Sequence, residues 1–302
     1  MANQTTTQNN VFIPEVIANE SIGYLAAMLN LGKTVTKDSE LTTVNVGQTI
    51  SIPKRGAVTA VKKTEGSNAV TSAPTATEVT VTVDQHWYVR VGEEDFTRAF
   101  QQGGSVLPGY AEDGLAVLAE KIESNLGSHI TDFQSFDIGG TAADDAVKAV
   151  AKARRLLVEA KAPMMMQWYG YVSPSLVEKI NIANAFIDPK IVPNSQPLTE
   201  GTVGRVKGFD CFEGQLVPTE GSPSVYQNFF YTKRALVLAT RGLALPGAGL
   251  GVESSYVPSE AGIGVRVMRF YDKDALATQV QLDVLWGSNI YDSRQGVVLQ
   301  AQ

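Results

Sequence analysis

The sequence is poor in the residues that most often carry catalysis and metal binding. It has one cysteine, Cys211, and two histidines, His86 and His129, among 302 residues. A single cysteine excludes an internal disulfide and any multi-cysteine zinc or iron–sulfur site. No apolar run approaches the roughly 18 residues that a membrane-spanning helix needs. We therefore expect no cofactor, no metal site and no contact with a membrane.

An excess of basic residues is also missing. The chain has 25 basic and 31 acidic residues, which gives a net charge of −6. This excess of acidic residues argues against a protein that binds nucleic acid through a basic surface. Hydrophobic residues make up 44% of the chain and charged residues 19%, which is typical of a folded protein rather than a disordered one. At roughly 150 residues per domain, the length corresponds to about two domains.

Two glycine-containing stretches resemble nucleotide-binding motifs but lack required residues. Gly32-Lys33-Thr34 has the end of a phosphate-binding loop, yet Ala27 stands where the motif needs its first glycine. A glycine that ends a helix is the better interpretation of Gly32. Residues 247–251 read GAGLG, and Val252 replaces the third glycine of a dinucleotide-binding fingerprint. Neither stretch predicts an enzyme.

Cys211 leaves one catalytic alternative open. With His86 or His129 as a base, its thiol could serve as the nucleophile of a cytosolic hydrolase. The surrounding Phe209-Asp210-Cys211-Phe212 is typical of a strand, on which Cys211 would face the core. Core packing is therefore the preferred interpretation, and we predict that the protein is not an enzyme.

Apolar residues that alternate with polar residues predict a long β-hairpin near the N-terminus. Ile50 and Ile52 alternate with polar residues, as do Val79, Val81 and Val83. About 26 residues lie between these runs and offer few bulky side chains, so we expect the tip to project from the body. The tip is basic whereas the chain is acidic, so it suits an acidic partner such as another copy. The basic residues that carry this inference are Lys54, Arg55, Lys62 and Lys63.

A long amphipathic helix follows the hairpin. Its apolar residues recur every three or four positions from Leu115 to Phe133, and Pro108 opens it. Further helices alternate with strands whose connections favour antiparallel pairing. The sequence therefore predicts an α+β fold. The apolar stripe consists of Leu115, Leu118, Ile122, Leu126, Ile130 and Phe133.

Four stretches, taken in order, resemble the major capsid proteins of tailed phages, which have the Hong Kong 97-like fold. Residues 79–99 resemble the strand that descends from the family's extended loop, and residues 108–130 its spine helix. Residues 203–218 resemble a body segment with a Gly-Phe-Asp turn before a strand that ends in proline. Residues 271–299 resemble the closing strands. The resemblance spans almost the whole chain.

The resemblance implies a division of the chain into the family's parts. Residues 1–42 would form the N-terminal arm and residues 43–92 the extended loop. Residues 93–140 would carry the spine helix of the peripheral domain, to which residues 255–302 return. Residues 141–254 would form the axial domain.

The resemblance also implies a function and partners. The chain would assemble through pentamers and hexamers into an icosahedral shell around double-stranded phage DNA, which it would enclose without reading its sequence. No long helical segment precedes the arm, so we expect a separate scaffolding protein, together with a portal and in some systems a decoration protein. The protein would reside in the virion capsid after assembly in the host cytoplasm. An encapsulin-type nanocompartment, whose shell has the same fold, is the alternative.

Contacts between subunits are expected from the arm and the hairpin. In the arm, two apolar residues that follow the polar start are the candidates. In the hairpin, the candidates are the basic residues and one neighbouring acid. The set comprises Phe12, Ile13, Lys54, Arg55, Lys62, Lys63 and Glu65.

Overall fold

The structure is a computed structural model. It describes residues 29–37, 49–54, 56, 58–69, 71, 74–96, 107–138, 143–183, 204–221, 224–247, 252–257 and 263–301. Within these residues the chain forms two large sheets, helices packed against them and a separate two-stranded hairpin. The predicted α+β class is confirmed. No helix among these residues is long and apolar enough to cross a bilayer.

Within the described residues the α-helices lie before residue 183, and the later part of the chain is mostly β-strand. The helices are α1 (Leu31–Thr34), α2 (Leu107–Ser128), α3 (Ala143–Glu159) and α4 (Pro174–Ile182), with 3-10 helices at Ile130–Asp132 and Ser293–Gln295. The first strands are β1 (Thr36–Lys37), β2 (Thr49–Lys54), β3 (Thr77–Thr82), β4 (Gln85–Glu94), β5 (Gln134–Asp137), β6 (Trp168–Val172), β7 (Arg205–Val206) and β8 (Phe209–Glu213). The later strands are β9 (Thr219–Glu220), β10 (Val225–Thr232), β11 (Leu236–Arg241), β12 (Val252–Val257), β13 (Val265–Asp272), β14 (Ala277–Ile290) and β15 (Gly296–Ala301).

The six-stranded sheet is built around the long strand β14. This strand pairs antiparallel with β4, β11 and β13, and β1 and β12 complete the sheet. Alternate residues of β14, from Val280 to Trp286, are buried on the side that packs against α2. The predicted apolar stripe of α2 is buried throughout. The α-helix itself ends earlier than predicted, at Ser128, and the following 3-10 helix carries Ile130 into the same core.

The seven-stranded sheet packs against α3 and α4. Its strands run in the order β5-β15-β10-β6-β8-β7, with β9 paired to β10. Small side chains on α3, including Ala149 and Ala153, are buried beneath this sheet and allow close packing. Helix α4 begins at Pro174, because the Ser173 hydroxyl accepts a hydrogen bond from the Leu176 amide and proline suits the first turn.

A hairpin, which we call the finger (residues 49–82), projects from the body. Its root is the antiparallel pair β2–β3, in which Thr49 lies opposite Thr82 and Lys54 opposite Thr77. Its tip, residues 55–76, contains no strand among the residues that the structure describes. Residues 58–69 of the tip are all exposed. The predicted hairpin and its solvent-exposed tip are therefore present.

The sheets draw on both predicted domains. Strand β11 lies in the predicted axial segment 141–254 but belongs to the six-stranded sheet. Strands β5 and β15 lie in the predicted peripheral segments but belong to the seven-stranded sheet. Strand β4 lies largely within the predicted extended loop, yet it pairs with β14 over ten residues. The division into arm, loop, peripheral and axial domains stays a prediction.

The prediction that Gly32 ends a helix is wrong. Gly32 is the second residue of the short helix α1 and is buried. Its amide and that of Leu31 donate hydrogen bonds to the Glu123 carboxylate of α2, so this stretch begins a helix rather than ends one. Most of the predicted arm, residues 1–28 and 38–42, lies outside the described residues.

Candidate functional site

The tip of the finger is exposed to solvent over residues 58–69. Val58 and Val61 are 72% and 64% exposed, although apolar side chains on a folded surface are usually covered when they cluster. Lys62, Lys63 and Glu65 are also exposed. Residues 53–76 contain four basic residues and one acidic residue, so this segment carries +3 and the rest of the chain −9.

The sequence-predicted contact residues do not lie together. Lys62, Lys63 and Glu65 lie at the exposed tip, as expected of contact residues. Lys54 lies at the root instead, where its Nζ is 3.1 Å from Oδ1 of Asp292 in the same chain. Because its charge is already paired, Lys54 fixes the finger to the body. The remaining three, Phe12, Ile13 and Arg55, lie outside the described residues.

Asp292 is the anchor to which Lys54 binds. It is only 5% exposed and lies between β14 and β15, where the chain passes from one sheet to the other. Its carboxylate also accepts hydrogen bonds from the Arg294 guanidinium at 3.1 and 3.0 Å and from the Gln295 amide at 3.2 Å. Burial opposes ionisation, but the bonds from Arg294, Gln295 and Lys54 hold the pKa of Asp292 well below its usual range. Lys54 thus ties the finger to the junction of the two sheets.

Replacing Asp292 by asparagine should reduce stability in a pH-dependent way. A carboxyl group whose pKa is lower in the folded protein than in the unfolded chain stabilises the fold. This stabilisation is complete above the unfolded pKa of about 4 and is lost as the pH falls through the folded pKa. We expect Asp292→Asn to lower the free energy of unfolding by about 1.5–3 kcal/mol at pH 7, because several charge-assisted hydrogen bonds are weakened. Urea unfolding of both proteins between pH 8 and pH 2 measures this. The difference should be constant above about pH 5 and shrink in acid; a difference that grew in acid would contradict the assignment.

An apolar cluster seats the root of the finger on the six-stranded sheet. Ile50, Ile52, Val81 and Val83 are buried against Val237 and Ala239 of β11. These side chains cover the face opposite α2, because Val237 and Ala239 alternate with the α2-facing Leu236 and Leu238. The Asn289 amide adds a hydrogen bond of 2.6 Å to the Thr80 carbonyl oxygen. The root is therefore a fixed base from which the tip extends.

A polar network lies on the other side of the finger root. The side-chain oxygen Oδ1 of Asn125 accepts from Trp286 Nε1 at 3.2 Å and from the Ser288 hydroxyl at 2.6 Å. Ser288 Oγ is also 3.0 Å from His129 Nε2, and since its proton is already committed, His129 donates from Nε2. Burial lowers the pKa of His129 and favours this neutral imidazole. This network could not be predicted from the sequence, because its members are isolated polar residues on separate elements.

The residues that follow the arm are anchored to both sheets. Glu123, which is 5% exposed, accepts 3.1 Å hydrogen bonds from the backbone amides of Leu31 and Gly32. Thr34 hydrogen-bonds the Tyr231 hydroxyl of β10, and β1 pairs in parallel with β11. Burial raises the pKa of Glu123 although the two amide bonds act in the opposite direction. Whatever precedes Leu29 therefore starts from a fixed point beside α2.

Removing the Glu123 side chain should release this anchor. We expect Glu123→Ala to lower the free energy of unfolding by about 1–3 kcal/mol, because two buried amides lose their acceptor. Glu123→Gln keeps one acceptor oxygen and removes the burial cost of the charge, so it should cost less. Urea unfolding, together with the rate of proteolysis near residues 29–37, measures both effects. Equal losses for the two variants would show that charge rather than hydrogen bonding holds the segment.

The geometry does not support catalysis by Cys211. The thiol packs in the seven-stranded sheet beside Gly170, and burial raises its pKa to about 12, whereas an activated nucleophile needs a lowered pKa. His86 lies on β4 of the other sheet, 3.5 Å from Asp283, and His129 contacts Ser288. Among the described residues, no three His, Cys, Asp or Glu side chains form a group that could hold a metal ion.

The chain is similar in structure to several virus-like capsids over almost its whole length. A structure of Mycobacterium phage Che8 matches with a TM-score of 0.63 and 17% identity, covering 91% of this chain and 90% of that one. The capsid structure of the cyanophage P-SCSP1u matches with a TM-score of 0.66 and 12% identity, covering 89% and 86%. The capsid of an empty GTA particle matches with a TM-score of 0.60 and 11% identity, covering 91% and 90%. No protein-family model and no curated protein matches the sequence.

These similarities establish the fold. The chain has the Hong Kong 97-like capsid fold, as its sequence predicts. The match to the Che8 structure covers 91% of this chain, so the shared fold is not confined to one part of it.

Proposed function

We propose that the protein is the major capsid protein of a tailed phage and that many copies assemble into a closed shell around double-stranded DNA. The observation that carries the proposal is the finger. It has a firmly anchored root, and its basic tip exposes Val58 and Val61 to solvent. The capsid fold over about 90% of the chain supports the same conclusion.

The finger suits repeated weak association. A single contact worth about −4 kcal/mol gives only millimolar affinity, so an isolated pair of subunits would dissociate readily. In a shell every subunit both offers a finger and receives one, and the contacts add up over the closed surface. Such weak individual contacts also allow a misplaced subunit to leave before the shell closes.

The negative charge of the body suits a container for DNA. Outside residues 53–76 the chain carries −9, and this charge would repel rather than bind the phosphate backbone. We infer that DNA is enclosed by proximity and stays releasable. A separate scaffolding protein, a portal, an optional decoration protein and assembly in the host cytoplasm belong to the same proposal.

The direct test is the size of the assembled protein. The full chain, expressed alone and then with its genomic neighbours, would be studied by light scattering and negative-stain microscopy. A compact monomer of this length has a radius of gyration of about 19 Å. Capsomer rings or closed shells many times larger are the expected result, and a stable monomer under both conditions would overturn the proposal.

The contents of the shells separate the proposal from an encapsulin-type nanocompartment. Shells made with a terminase and portal should take up DNA. Shells that instead enclose a folded enzyme from the same genomic region would favour the nanocompartment.

A further inference from the structure

The turn between helix α3 and strand β6 carries three consecutive methionines, Met164 to Met166. Met164 is 66% exposed and Met165 is 102% exposed, so both side chains lie in solvent. Folded proteins usually bury methionine, as this chain buries Met268 of β13, which is only 9% exposed. The turn therefore places thioether sulfur at the surface of the subunit.

The backbone of this turn is fixed at both ends. The Ala162 amide donates a 2.9 Å hydrogen bond to the Leu157 carbonyl oxygen in the last turn of α3. On the other side, Nε1 of Trp168 donates to the Pro163 carbonyl oxygen at 3.1 Å. Ala162 and Trp168 are both buried in the core that α3 forms with the seven-stranded sheet. Because these anchors occupy the core, Met164 and Met165 are held outside it.

An exposed thioether reacts with hydroperoxides by transfer of one oxygen atom. The sulfur lone pair attacks the peroxide, the O–O bond breaks and an S–O bond forms. Sulfur is oxidised by two electrons, the peroxide is reduced, and both hydrogens of hydrogen peroxide leave in one molecule of water. The product, methionine sulfoxide, is polar, and a pair of reductases, one for each sulfoxide epimer, restores the thioether.

The other described sulfur atoms outside the turn are protected from this reaction. Burial raises the pKa of the Cys211 thiol to about 12, so the reactive thiolate is scarce near neutral pH. Met268 lies within the six-stranded sheet, where peroxide reaches it only when the sheet opens locally. The turn should therefore react before either of them.

We propose that Met164 and Met165 form a reversible oxidation site on the surface of the unassembled subunit. Hydroperoxide converts both side chains to sulfoxides and leaves the fold intact, because neither side chain is part of the buried core. The modification changes an apolar surface turn into a polar one. The site follows from the exposure and anchoring of the turn and is independent of the proposed shell function.

Peroxide treatment of the full-length subunit, separated by size from any assembled protein, tests the site. Samples quenched over time are digested, and fragment spectra give the oxygen uptake at each methionine. We expect Met164 and Met165 to be oxidised at least about tenfold faster than Met268, since susceptibility follows exposure. Equal rates for the turn and for Met268 in the folded subunit would overturn the proposal.

The chain unfolded in urea is the internal control. Without folded structure the three methionines are equally accessible, so their oxidation rates should agree within about twofold. If Met268 stayed tenfold slower in urea, exposure in the folded subunit would not be the cause of the selectivity, and the assignment would be wrong.

Leucine variants identify the reacting residues. Met164→Leu with Met165→Leu should abolish the fast oxygen uptake, whereas the matched control Met268→Leu should keep it, because leucine preserves the apolar character and approximate size of methionine. Fast uptake that persisted in the double variant would place the site elsewhere. The urea midpoint of the unaltered protein should be the same before and after the fast phase, and a lower midpoint after it would mean that the oxidised residues support the core.

Reversibility has its own measurement. After the fast phase, the oxidised subunit is treated with both epimer-specific methionine sulfoxide reductases and dithiothreitol, which supplies the two electrons and two protons that release the oxygen as water. Mass spectrometry should show the added oxygen lost from residues 164 and 165. Oxygen that remained on the turn while a free methionine sulfoxide standard was reduced would contradict a reversible site.

Discussion

Deleting residues 56–76 should abolish shells and leave a folded subunit. The described residues of this segment add almost nothing to the subunit's own core, because nearly all of them are exposed. The root strands β2 and β3 keep their six paired residues and their apolar seat on the sheet. The loss therefore falls on contacts between copies, and since these are weak individually, removing one kind from every subunit should leave only monomers or small oligomers.

Light scattering and negative-stain microscopy measure the loss of shells, and circular dichroism with urea unfolding measures the fold. A second variant in which a flexible Gly/Ser segment of equal length replaces residues 56–76 is the control. It restores the length but not the side chains, so it should also fail to assemble. Normal shells from either variant would refute the role given to the finger. An unfolded subunit would refute the independence of tip and body.

Periodic patterns of apolar residues predicted the parts of the fold that are locally determined. The stripe from Leu115 to Phe133 is buried as predicted, and Ile50, Ile52, Val81 and Val83 of the alternating runs are buried too. Each pattern reflects one element packing on one face, so the information lies within a short stretch of sequence. The N-terminal cap of α4 at Ser173 is also locally determined, since the Ser173 side chain hydrogen-bonds only to the first turn of the helix that follows it.

Features that depend on distant partners could not be predicted in the same way. Lys54 looked like the other basic residues of the hairpin, but its partner Asp292 lies more than 200 residues later in the chain. The interpretation of Gly32 failed for the same reason, because Glu123 of α2 supplies the acceptor that begins α1. Met164 and Met165 stand in an apolar run before Trp168, yet both residues are exposed in a turn, and β6 begins only at Trp168. A cleft of about 520 Å³ beside α2, lined by Glu120, Glu123 and Glu213 among others, likewise draws residues from four separated segments.

One glycine allows the finger to lie directly on β14. A Cβ atom at Gly287 would lie 2.0 Å from the Thr82 carbonyl oxygen and 2.9 Å from the Val83 Cα. Both are backbone atoms of the finger root, so no side-chain rotation can relieve the overlap. The root also cannot shift far, because Ile50 and Val81 are packed without solvent exposure. Close approach, rather than an unusual backbone conformation, is what requires glycine here.

Gly287→Val should therefore lift the finger root from the sheet. Overpacking of this kind costs about 1–3 kcal/mol, and the exposure of the apolar cluster adds to that loss. Because the finger would leave its seat at a changed angle, we expect assembly to be lost even where the body stays folded. Gly247→Val is the matched control, since a Cβ there meets nothing within 4 Å and should change neither stability nor assembly. Urea unfolding of the two variants measures the effect on stability, and light scattering measures the effect on assembly. If Gly287→Val forms normal shells and unfolds at the same urea concentration as the unaltered protein, the finger does not rest on β14, and the role given to its fixed root in assembly is wrong.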